Sequence, residues 1–69
     1  MRLSARNQIK GTVKTVTKGA TTAHVSVDIG AGNTVMASIT NEAVDELGIK
    51  AGSKVTVIIK ASSVMIGAD

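Results

Sequence analysis

Two short segments carry the residue types best suited to holding a small anion. Near the start stands Ser4-Ala5-Arg6-Asn7-Gln8, and near the end Lys60-Ala61-Ser62-Ser63. A tetrahedral oxyanion needs convergent donors: Arg or Lys to offset its charge, hydroxyls and free backbone N–H groups to give direction. Both segments fall at expected strand ends, where amides are not all consumed by a ladder. On composition alone the plainer reading, a polar terminus in each case, is favoured.

Other chemistry is missing. Gly30-Ala31-Gly32 looks like the opening of a dinucleotide fingerprint, but Val35 stands where a further Gly belongs and no long helix succeeds it, so it reads as a hairpin turn. His24 is the single histidine and there is no Cys, which excludes thiolate metal sites and leaves no zinc site within one chain. The acidic residues Asp28, Glu42, Asp45, Glu46 and Asp69 are too scattered to argue a carboxylate pair. No enzyme is expected.

A chain of 69 residues buries too little apolar surface to be comfortable alone. Small folds compensate with disulfides, a metal or self-association. Disulfides are ruled out by the absence of Cys, and the core lacks Phe, Tyr and Trp, the residues that bury most area each. Self-association is what remains.

The formal net charge of +3 favours an anionic partner. Single-strand binders rely on aromatic stacking platforms worth roughly 1–3 kcal/mol per base, and none exists here. Nucleic acid is therefore not expected, although a small basic barrel binding nucleic acid or a protein partner is the alternative reading. The basic N-terminal stretch has no signal-length apolar segment behind it, and the longest apolar stretch, Val64 to Ala68, is far short of the ~20 residues a spanning helix needs. No membrane association is expected, and a cytoplasmic location is the default.

Alternation dominates the elements that must position these groups. In Thr22 to Ile29, Ala23, Val25, Val27 and Ile29 share one face, and His24, Ser26 and Asp28 the other. Gly30-Ala31-Gly32-Asn33 supplies a hairpin turn, and Val35, Ala37 and Ile39 continue in phase. Asn41 to Leu47 switches to helical spacing, with Thr40 or Asn41 as cap, Ala43, Val44 and Leu47 on one face, and Gly48 ending it. Lys54 to Lys60 is a strand with Val55, Val57 and Ile59 inward, and a final short strand is predicted near Ser63 to Ile66. In Lys10 to Lys18 the pattern slips: Val13, Thr15 and Thr17 keep together while Val16 falls on the opposite face, which marks a bulge or bend. Lys10, Lys14 and Lys18 read as a solvated strand face. The sum is an all-β chain, a small OB-like Greek-key barrel of five to six strands with one short helix, with an open two-layer sheet carrying the helix on one face as the alternative. Outward Val16, Met36, Ile58 and Met65 suggest an interface, so the barrel is expected to assemble as an oligomer.

Taken in order, Ser4-Ala5-Arg6-Asn7-Gln8 with Lys10-Gly11, then Lys18-Gly19, Ile39-Thr40, Glu46-Leu47-Gly48 and Lys60-Ala61-Ser62-Ser63-Val64 resemble the molbindin (Mop) family. The same module occurs in molybdate-responsive regulators and at the end of molybdate-transporter ATPases. The resemblance spans residues 1–69 as a single Mop domain and matches the free-standing storage form. It implies a homo-oligomer, a hexamer built as a trimer of dimers, that binds molybdate or tungstate between subunits for storage and homeostasis. By the same resemblance, one class of site uses Ser4, Ala5 and Arg6 from one subunit with Thr40, Lys60, Ala61 and Ser62 from its neighbour. A second class involves the Lys18-Gly19-Ala20 loop. One departure stands out: where relatives place a Ser three positions beyond the Thr, this chain has Ala43.

Overall fold

The computed structural model describes residues 1–69. Four antiparallel strands form one sheet: β1 (Asn7–Lys18), β2 (Thr22–Gly30), β3 (Asn33–Thr40) and β4 (Lys54–Ile59), in the order β3-β2-β1-β4. A single helix, α1 (Asn41–Leu47), joins β3 to the last strand and packs against β2 and β3. The all-β, OB-like class with one short helix is as expected, but the strand count is four. The strand predicted near Ser63 to Ile66 does not form. Instead Ala61–Ser63 makes one 3-10 turn, and residues 64–69 join no ladder. An apolar run becomes a strand only where it pairs with a neighbour, and residues 64–69 pair with none of the four strands.

Burial tracks the alternation on β2. Ala23, Val25 and Val27 are buried with Val13 of β1 and Val44 of α1, and these five are the whole buried apolar core. Ser26, on the opposite face of β2, is also buried, lying between its ladder partners Thr15 and Met36. The β2–β3 hairpin closes on Ala31 and Gly32, both at positive φ (53° and 77°), which is the two-residue turn whose twist matches its strands. The Asp28 carboxylate accepts from the Gly30 amide at 2.8 Å and steadies the entry.

β1 serves two neighbours. Its first half pairs with β4 from Asn7↔Ile59 to Thr12↔Lys54, and its second half pairs with β2 from Thr12↔Asp28 to Lys18↔Ala23. Between Val13 and Thr15 the register shifts, so Lys14 is the extra residue of a bulge. The bulge reverses the phase of the residues beyond it. Val16 comes opposite Val25 and packs against the core, rather than facing away as the simple alternation predicts. Lys18 comes opposite buried Ala23, out of phase with Lys10, so the row of lysines is not one solvated face.

Thr40 caps α1, its Oγ1 accepting from the Ala43 amide at 3.0 Å, and Gly48 ends it at φ 64°, φ > 0 being reached without a Cβ penalty. Val44 is the helix's buried anchor, whereas Leu47, expected inward, is 70% exposed. No helix is long and apolar enough to cross a membrane.

Candidate functional site

The β1–β4 ladder decides where the candidate donors go. Because Asn7 lies opposite Ile59, the segment before β1 and the segment after β4 leave the same end of the sheet side by side. Asn7 reinforces the junction by donating from Nδ2 to the Ile59 carbonyl at 3.2 Å. Gln8 reaches back and donates from Nε2 to the Ala5 carbonyl at 2.9 Å, which ties the leading segment to the start of β1. The result is an open pocket of about 700 Å³ lined by Ser4, Ala5, Arg6, Ile58, Lys60, Ala61 and Ser62.

Its electrostatics are one-sided. The Arg6 guanidinium and the Lys60 ammonium have no carboxylate partner, since the ion pair between Lys18 and Asp45 is the only one in the chain. No acidic residue lines the pocket. The 3-10 turn consumes the amides of Ser63 and Val64, which donate to the carbonyls of Lys60 (2.9 Å) and Ala61 (3.2 Å). The amides of Ala61 and Ser62 make no backbone bond. The residues lining this one space thus carry two cations, two serine hydroxyls and two amides without a backbone partner, a donor set suited to an anion with several oxygens.

Of the residues predicted for the first site, all but Thr40 line this one pocket. Thr40 is elsewhere. It ends β3 opposite Thr22, and its oxygen is occupied as the cap of α1. There it stands with the loop predicted as the second site. The Gly19 amide donates to the Thr22 carbonyl at 2.7 Å, and Asn41 clamps the same loop twice. Its backbone amide donates to the Thr21 carbonyl at 2.9 Å and its Nδ2 to the Gly19 carbonyl at 3.0 Å. The Asn41 Oδ1 is buried without a partner. Lys18, turned toward α1 by the bulge, pairs with Asp45 at 2.6 Å, and Ala20 is exposed in the turn. Lys18 is therefore a compensated cation, unlike Arg6 and Lys60. Sequence reasoning missed this pair and the Asn41 clamp. A 27-residue separation leaves no local signal for the first, and an Asn at a helix start reads as a cap. No group of His, Cys, Asp and Glu is placed to hold a metal cation.

The fold and site define an OB-like antiparallel module with a cationic pocket at one sheet end. The chain belongs to the TOBE-domain family, whose model matches residues 3–66, and within it to the molbindin (Mop) group. It is 44% identical over 69 residues to a probable molybdenum-pterin-binding protein of Haemophilus influenzae, covering 100% of both chains. It is also similar to the solved structure of a molybdate-binding protein from Sporomusa ovata, with a TM-score of 0.92, 34% identity, and 99% of this chain and 100% of that one covered. A third match is the cytoplasmic molybdate-binding protein ModG with molybdate bound, with a TM-score of 0.94 and 45% identity over 100% of this chain and 49% of that one.

Proposed function

We propose that this chain, as one module over residues 1–69, reversibly binds molybdate or tungstate and acts as a cytoplasmic store of the anion. It does so as a homo-oligomer, a hexamer arranged as a trimer of dimers, with the anions held at the seams between subunits and no chemistry performed on them. The observation that carries this reading is the pocket of Ser4, Ala5, Arg6, Lys60, Ala61 and Ser62, in which two cations have no carboxylate to satisfy them. The names borne by its relatives, molybdenum-pterin-binding and molybdate-binding, point the same way.

Physically, Arg6 and Lys60 offset the dianion's charge, while the hydroxyls of Ser4 and Ser62 and the amides of Ala61 and Ser62 set its orientation. Each hydrogen bond to a charged group contributes about 1.5–3 kcal/mol. Sulfate shares the charge and the shape, so selection for the larger oxometalates rests on the size of the cage. Thr40 joins the site from a neighbouring subunit through its hydroxyl hydrogen, which the cap leaves available. The Lys18-Gly19-Ala20 loop forms a second, weaker site, because Lys18 must leave Asp45 to serve it.

The experiment is equilibrium dialysis of the purified protein against molybdate, tungstate and sulfate, read by elemental analysis and paired with the mass in solution. Retention of both oxometalates but not sulfate, by an assembled species, supports the reading. A monomer that retains none of the three overturns it.

A further inference from the structure

We propose that α1 governs the second oxyanion site through two residues one turn apart. Asn41 fixes the loop between β1 and β2 as a set of donors, and Asp45 competes with the anion for Lys18, so that this site fills after the first. The proposal rests on the reading of the Lys18-Gly19-Ala20 loop as an oxyanion site and assigns the residues that control it.

Asn41 and Asp45 stand four positions apart on α1, a spacing that puts both side chains on one side of the helix. That side meets the loop. Asn41 holds it twice, its amide donating to the Thr21 carbonyl (2.9 Å) and its Nδ2 to the Gly19 carbonyl (3.0 Å). The amides of Ala20 and Thr21, in the same turn, make no backbone bond, and both residues are exposed. Two consecutive free amides beside Lys18 are donors for oxygens, and a loop whose carbonyls are already bound need not be ordered when an anion arrives. The turn is also tight: a Cβ on Gly19 would lie 2.9 Å from the Thr22 carbonyl oxygen, to which the Gly19 amide donates at 2.7 Å. The Asn41 Oδ1 is buried with no partner, a burden an apolar side chain would avoid. The Nδ2 bond to the loop is what an amide side chain supplies at this position.

Asp45 acts in the opposite sense. Its carboxylate accepts from Lys18 at 2.6 Å, in the one ion pair of the chain. Arg6 and Lys60 meet an anion with their full charge, whereas at the loop a dianion has to displace a carboxylate and then remain beside it. Both side chains of the pair are exposed, 47% for Lys18 and 68% for Asp45, so solvent screens the pair and an arriving anion can break it. The competition is therefore modest. It sets an order of filling and does not close the site.

Backbone amides report each site separately, Ala61 and Ser62 the first, Ala20 and Thr21 the second. Molybdate is titrated at low ionic strength into the isotope-labelled full chain, and the midpoints are read from the amide shifts by nuclear magnetic resonance. In the wild type, Ala61 and Ser62 are expected to saturate at lower molybdate than Ala20 and Thr21. Asp45→Asn is expected to lower the Ala20 and Thr21 midpoint by roughly two- to fivefold, the scale of an exposed ion pair. Asn41→Ala is expected to raise that midpoint by roughly threefold or more, as the loop loses its order. Neither variant should move the Ala61 and Ser62 midpoint. A gain in affinity at one site only is not what a merely destabilised chain produces. An Asp45→Asn midpoint at or above the wild type's overturns the competition, and an unmoved Asn41→Ala midpoint overturns the clamp. Should Asn41→Ala not fold, the milder Asn41→Ser is read in its place. If Ala61 and Ser62 respond while Ala20 and Thr21 never do, this inference falls and the molybdate reading stands; if neither pair responds, both fall.

Discussion

Asn7 and Ile59 face each other across the β1–β4 ladder, and that one pairing sets Arg6 and Lys60 at the mouth of a common pocket. Neither Arg6 nor Lys60 belongs to a strand, and the long stretch of chain between them carries no local instruction to unite them; the ladder register alone does so. A sheet whose twist and bulge are fixed elsewhere thereby positions a site built almost entirely from segments outside its strands.

Gly11 lets β1 approach β2 closely. A Cβ there would lie 2.6 Å from the Val27 Cγ1 and 2.8 Å from the Asp28 carbonyl oxygen. The second is backbone of the adjoining strand and cannot turn aside. Gly11→Ala is therefore expected to cost about 1–3 kcal/mol, in the range of overpacked cores. Urea denaturation at fixed protein concentration checks this, and an unchanged midpoint would show that the strand yields freely.

Ala31 occupies a left-handed position in the hairpin turn, at φ 53°. That conformation costs a residue with a Cβ roughly 1–2 kcal/mol, and Asn bears it better. Ala31→Asn creates the Asn-Gly pair such turns prefer and is expected to stabilise the chain by roughly 0.5–1 kcal/mol. Thermal unfolding monitored by circular dichroism should show a raised midpoint; a lowered one contradicts the turn assignment.

Thr40 acts first as a cap. Thr40→Ala is expected to cost about 1 kcal/mol of stability, because the Ala43 amide loses its acceptor, and Thr40→Ser should restore most of it. Denaturation of the three proteins side by side is the check. Equal midpoints for Thr40→Ala and the wild type would remove the cap from the account.

Much of the fold was legible in the sequence, for local reasons. Strict alternation from Ala23 to Ile29 and the Gly30-Ala31-Gly32 turn define the hairpin, and Thr40 and Gly48 bracket the helix with their own short-range chemistry. The features that escaped depend on distant partners. Val16 and Lys18 change sides because of a bulge at Lys14, and pattern alone shows a slip without saying which residue is extra. Val64 to Ile66 has the composition of a strand but pairs with no edge of its own chain. At the site, residue types marked both donor segments, but only the β1–β4 register shows them to be neighbours. Thr40 could not be placed from sequence, because its spatial company is the Lys18 loop and α1.

The central claim is that uncompensated Arg6 and Lys60 hold a dianionic tetrahedron. Isothermal titration of molybdate into the wild type, Arg6→Ala and Lys60→Ala tests it most directly, with the sedimentation mass measured for each. Loss of a charge-assisted bond worth about 1.5–3 kcal/mol predicts at least roughly tenfold weaker binding in either variant, with the assembly unchanged. Wild-type affinity in both variants would contradict the account.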